Sequence, residues 1–139
     1  MRVIELQDDN YCFVCGKNNQ CGLRLSFSYK DGKITSHFSP LKIYQGYKDI
    51  IHGGIIAAVL DESMIQVALK ENIIPLTAEI TIRFKQPLYA NEETVIEAEI
   101  LDKKPKLIKA HSILFKKSDR TVIAEASAKL VPVARDQND

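Results

Sequence analysis

A histidine followed by two glycines stands at Ile51-His52-Gly53-Gly54, and an acid, Asp61, comes nine residues after the histidine. The stretch between, Ile55 to Leu60, is wholly apolar. Glycines at a helix start let another group approach the backbone closely. First-turn amides have no acceptor within their helix, and the positive end of the helix dipole lies behind them. That geometry suits a carbonyl oxygen gaining negative charge, as in an oxyanion hole. A carboxylate in an apolar segment must be paired, hydrogen-bonded or protonated. It can then serve an acyl group as general base or nucleophile. Plainer readings stand beside these. His52 can satisfy nearby backbone, Gly53-Gly54 can be a tight turn into a buried helix, and Asp61 can face solvent with Glu62 and Ser63.

The three cysteines form a second cluster, at Cys12, Cys15 and Cys21. Cys12-x-x-Cys15 could open a zinc site or a redox pair. Structural zinc usually takes four ligands, and no spaced His pair follows to complete the set. The expected reading is reduced thiols in a packed N-terminal segment, with no metal. His37 and His111 fall on strand patterns without acidic neighbours in sequence and read as structural.

These residues need elements to position them. Residues 23–29 alternate apolar and polar, which is a strand pattern. Asp31-Gly32 is a hairpin turn, and residues 34–38 return as its partner. Residues 54–71 form the one clear helix, apolar on most sides and so largely buried, with Asn72 and Pro75 marking its end. Strands follow at 77–85, 93–101, 107–115 and 121–131. In the first of them Ile80, Ile82 and Phe84 oppose Glu79, Thr81, Arg83 and Lys85. In the last, Ala124, Ala126 and Ala128 leave room for the helix. The fold expected is α+β, one antiparallel sheet wrapped around one long central helix. Such a sheet covers one side of its helix, which points to a second copy on the other.

Composition narrows the partners. The 139 residues carry 19 Lys and Arg against 18 Asp and Glu, a net charge of +1, too balanced to favour nucleic acid or an anionic membrane. No apolar run approaches the ~18 residues of a membrane span. The start alternates charged and apolar residues without a signal-peptide core, so the expected location is cytoplasmic. One domain is expected over 1–139, with an N-terminal segment at 1–21 and a frayed tail at 133–139.

The His-Gly-Gly start with Asp61 resembles the hot-dog-fold acyl-CoA thioesterases, in their His-Gly-Gly, PaaI-like branch. Cys12-Phe13-Val14-Cys15-Gly16 with Asn18 or Asn19, then Gly22-Leu23-x-Leu25, looks like the N-terminal segment of one subgroup. Gln45-Gly46-Tyr47, and Thr77 opening a strand that ends in Lys85-Gln86-Pro87, match that subgroup too. The resemblance implies a hot-dog fold and implies roles. Asp61 matches the catalytic acid that activates water or attacks the thioester. Gly54, with Gly53 beside it, matches the backbone donor to the carbonyl. His52 matches an orienting histidine. Thr77 matches a hydroxyl that orients water and comes from the partner subunit. Some relatives carry an Asn where Gly46 stands, and Gln45 is the candidate replacement. Glu62 is kept at the substrate rim, as the rival acid if the helix is rotated. Arg83 and Lys85, with Lys103, Lys104 and Lys106, are candidates for the phosphates of CoA.

The leading expectation is therefore hydrolysis of an acyl-CoA to free acid and CoA, without a cofactor, in a homodimer or homotetramer with sites at subunit interfaces. The alternatives are a hot-dog acyl-thioester dehydratase or hydratase, and a non-catalytic acyl-CoA-binding module.

Overall fold

A computed structural model describes residues 5–133, so the expected frayed tail lies almost wholly outside the described residues. The chain runs β1 (Ser28–Lys30), β2 (Lys33–Phe38), a short 3-10 turn (Lys42–Tyr44), α1 (Gly53–Lys70), β3 (Pro75–Phe84), β4 (Thr94–Lys104), β5 (Leu107–Lys116) and β6 (Val122–Pro132). The six strands form one antiparallel sheet in the order β1-β2-β4-β5-β6-β3. The sheet wraps one face of α1, which is the α+β architecture read from the sequence.

The 18 residues of α1 divide cleanly. Ile56, Val59, Leu60, Ser63, Met64, Val67 and Ala68 are buried against the sheet. They meet Ile34, Ile96, Leu114, Ile123 and Leu130, and burial of this apolar surface is the main term holding the fold. The helix ends where the sequence says it should. Asn72 takes the left-handed φ of 64°, and the amides of Asn72 and Ile73 return to Leu69 O and Ala68 O. That pair of bonds is a Schellman cap.

Two elements depart from expectation. The strand expected over 23–29 survives only as β1 from Ser28. Arg24 takes a left-handed φ of 53°, and the amides of Leu23 and Leu25 bond Phe13 O and Val14 O instead of a strand. The alternation still buries Leu25, so the pattern marked the face correctly but not the partner. β4 also runs on to Lys104, which leaves the expected turn at 103–106 only Pro105 and Lys106.

β3 is an edge strand with a bulge between Thr77 and Glu79. Strict alternation would put Thr77 with Glu79 and Thr81 on the outer face. The extra residue instead sets Thr77 opposite buried Leu130, while Ile80 sits opposite buried Ala128. The bulge thus turns Thr77 towards α1, the kind of re-aiming such irregularities produce.

Candidate active site

The face of α1 that the sheet covers least carries Gly54, Ala57, Ala58 and Asp61, none of them fully buried, with Ala58 still touching the core. Their i, i+3, i+4, i+7 spacing puts them on one stripe. Asp61 is half-buried, and its Oδ1 accepts a hydrogen bond from Thr77 Oγ1 at 2.6 Å. This short hydroxyl-to-carboxylate bond fixes the carboxyl group and leaves Oδ2 to other partners. Thr77 was expected from the partner subunit. Within one chain Thr77 joins Asp61, because the bulge in β3 aims it at the helix beside it, so the two residues enter a shared site from the same subunit.

His52 is the N-cap of α1, and its Nδ1 accepts from the Gly54 amide at 2.8 Å. With Nδ1 accepting, the ring proton is assigned to Nε2. The ring sits between two glycines. A Cβ on Gly54 would lie 3.0 Å from Nδ1, and one on Gly46 would lie 3.4 Å from Cδ2. The amides of Ile55 and Ile56 both turn to His52 O. Gly53 is left as the first-turn residue whose N–H has no acceptor among the described residues. The free donor of the helix start is therefore Gly53, where the sequence reading favoured Gly54.

Two hollows meet at Gly53. One is lined by Tyr47, Ile50 and His52, the other by Ile56, Phe84, Lys85 and Leu88. Tyr47 is 86% exposed and Phe84 55%, an apolar rim beside a free amide. The sequence placed Tyr47 only within the Gln45-Gly46-Tyr47 match and Phe84 only on a strand face, and assigned neither ring to the site.

The remaining candidates scatter. Gln45 Oε1 accepts from the Asp49 amide at 2.9 Å, so it braces its own loop. Lys85 pairs with Glu125 at 3.3 Å beside the second hollow. Arg83 is exposed on β3, and Lys103 pairs with Glu71 at 3.0 Å. Glu62 points away from the Asp61 stripe. Its Oε1 accepts from Gln66 Nε2 at 3.0 Å and from the thiols of Cys15 at 3.4 Å and Cys12 at 3.8 Å. Burial raises the Glu62 carboxyl above its ordinary value, against the pull of these donors. Burial likewise raises the Cys15 thiol well above its ordinary value. Cys21 is exposed and stands apart from this cluster.

Residues 48–123, more than half of the chain, match the family model of the thioesterase superfamily. The chain belongs to that superfamily. No curated protein sequence matches it. Among solved structures, it is similar to zebrafish thioesterase superfamily member 2, with a TM-score of 0.77, 15% identity, and coverage of 90% of this chain and 93% of the other. A hypothetical thioesterase from Streptococcus pneumoniae, solved with coenzyme A, gives 0.75, 12%, 80% and 87% for the same quantities. The E. coli PaaI protein of the phenylacetic acid degradation operon gives 0.74, 14%, 78% and 83%. At these identities the likeness establishes the hot-dog fold. No helix among the described residues is long and apolar enough to cross a membrane.

Proposed function

We propose that the protein is an acyl-CoA thioesterase, with Asp61 as general base and the Gly53 amide as the donor to the carbonyl oxygen. The observation that carries the reading is the 2.6 Å bond from Thr77 to Asp61, on the helix face of small residues that the sheet covers least. A carboxylate so placed, in a chain of this superfamily, needs a thioester and a water molecule to act on. The coenzyme A bound to the Streptococcus pneumoniae protein supports the substrate class. Two further structures of that protein carry alanine in place of an aspartate and of a threonine sixteen positions later. Asp61 and Thr77 stand sixteen apart here.

One chain holds only half of this site. Gly53 and Asp61 are eight residues apart on one helix, about 12 Å along its axis. A reacting carbonyl must lie roughly 3 Å from both its donor and its nucleophile, which that separation forbids. A two-fold pairing of these stripes brings Asp61 of one copy to the helix start of the other, and the reverse. Ala57 and Ala58 between them let the helices approach closely.

The steps then follow. The thioester oxygen accepts from the Gly53 amide of the second copy, with the helix dipole behind it. Asp61 Oδ2 takes a proton from water, and the hydroxide adds to the carbonyl carbon. The tetrahedral adduct collapses, the carbon–sulfur bond breaks, and Asp61 returns the proton to the leaving CoA sulfur. The hollows at Gly53 take the acyl chain and the pantetheine arm, with Lys85 at their rim. The free thiols fit a reducing compartment, and we place the activity in the cytoplasm.

The test is a panel of short, long and aromatic acyl-CoAs assayed for thiol release. Release of CoA from one class is the expected result. Tight binding without release would favour a binding module, and hydration of an enoyl-CoA without release would favour a hydratase.

A further inference from the structure

The cysteine pair read from the sequence as packed thiols has a geometry of its own. Cys12 Sγ, Cys15 Sγ and a carboxylate oxygen of Glu62 all lie within 4.8 Å of one another. All three residues are half-buried. The tight turn that gathers the sulfurs depends on Gly16. Its amide bonds Cys12 O at 2.8 Å, and a Cβ there would lie 2.4 Å from Cys12 N. The Cys15 amide is directed at Cys12 Sγ at 3.4 Å, a donor suited to a thiolate. Glu62 is brought in from α1, and Gln66, one turn on, holds its carboxylate at 3.0 Å.

From these contacts we infer that Cys12, Cys15 and Glu62 form a zinc site that ties the N-terminal segment to the central helix. With Zn–S near 2.3 Å and Zn–O near 2.0 Å, a tetrahedral ion sets each sulfur about 3.5 Å from a carboxylate oxygen. The two sulfur–oxygen separations here are 3.4 and 3.8 Å, close to that value, and the two sulfurs lie within 4.8 Å of each other. A water molecule would complete the set of four, and Gln66 Nε2 stands beside the donors, 3.8 Å from Cys15 Sγ. Ligand type favours zinc over magnesium or calcium, which take oxygen donors. Binding replaces two thiol protons by one Zn²⁺ and releases them. A Cys12–Cys15 disulfide would strip Glu62 of both thiol donors and leave its half-buried carboxylate with Gln66 alone, a costly arrangement. The ion would clamp the turn of α1 next to Asp61 without touching the proposed reaction, so this inference stands apart from the thioesterase reading.

The experiment uses the full chain, reduced, stripped with a chelator, and titrated with zinc alone against a chromophoric competitor. One zinc per chain is expected. Cys12→Ser and Cys15→Ser should each weaken binding at least about 100-fold, while Cys21→Ser leaves it unchanged. Zinc should protect two of the three thiols from alkylation. Cobalt in its place should show tetrahedral bands and thiolate charge transfer that Cys15→Ser abolishes. If the serine variants lose their far-UV dichroism, Glu62→Gln, which keeps the contact with Gln66, decides by the same titration. No zinc bound at micromolar concentration, or equal binding by the wild type and Cys15→Ser, overturns the site. So does alkylation of all three thiols in the presence of zinc.

Discussion

Gly53→Pro separates the proposed chemistry from the fold. Proline removes the N–H that the proposed oxyanion hole uses, yet Gly53 is the first residue of α1, the helical position proline favours. The residue before a proline must be extended, and His52 already has φ −59° and ψ 133°. A Cβ at Gly53 meets only the Phe84 ring, at 3.6 Å, an ordinary contact. The His52 cap on Gly54 and the amides of Ile55 and Ile56 keep their acceptors. Fewer unfolded conformations should therefore stabilise the variant by about 0.4–1 kcal/mol. Loss of one oxyanion donor costs about 2.7–4 kcal/mol of transition-state binding, roughly 100- to 1,000-fold in kcat. The assay is thiol release from the best acyl-CoA of the panel, beside a thermal melt. A variant that melts at or above the wild type and turns over 100-fold slower is expected. Full kcat in a folded variant would refute the assignment of Gly53.

Other outcomes follow from the same contacts. Thr77→Val keeps the shape but removes the 2.6 Å bond to Asp61, and a bond to a charged acceptor is worth about 1.5–3 kcal/mol. The expected effect is a fall of one to two orders in kcat with little change in KM, read by steady-state kinetics. His52→Ala removes the cap on Gly54 and should cost about 1 kcal/mol in urea unfolding, whereas His52→Asn, a good N-cap, should restore it. The Thr121 amide, donating to Asp119 at 2.9 Å, holds the Asp119 carboxyl below its ordinary 3.8. A carboxyl lowered on folding adds stability that is present above its unfolded value and lost as pH falls through the folded one. The wild type should therefore exceed Asp119→Asn in stability at neutral pH, with the gap closing at low pH in a titrated melt.

The fold was legible in the sequence wherever periodicity and turn chemistry agreed. The hairpin at Asp31-Gly32, the end of α1 at Asn72 and the strand rows of β4, β5 and β6 all came from local signals. The least-covered stripe of α1 was not legible, because Ala57 and Ala58 count as apolar whether they face a core or a second copy. The link between Thr77 and Asp61 depends on a one-residue bulge at 77–79, which alternation cannot reveal and which reverses the face of Thr77. The choice between Gly53 and Gly54 turns on where the His52 ring points. The meeting of Glu62 with Cys12 and Cys15 joins residues about fifty positions apart. No spacing rule reaches that far.

The claim that one chain holds half a site can be measured by mixing two inactive variants. Asp61→Asn lacks the base and Gly53→Pro lacks the donor. In mixed dimers one site carries both defects, and the other pairs an intact Asp61 with an intact Gly53 amide. Equal mixing under conditions that exchange subunits makes half the dimers mixed, so about a quarter of wild-type thiol release should return. A mixture no more active than its two components would contradict the account.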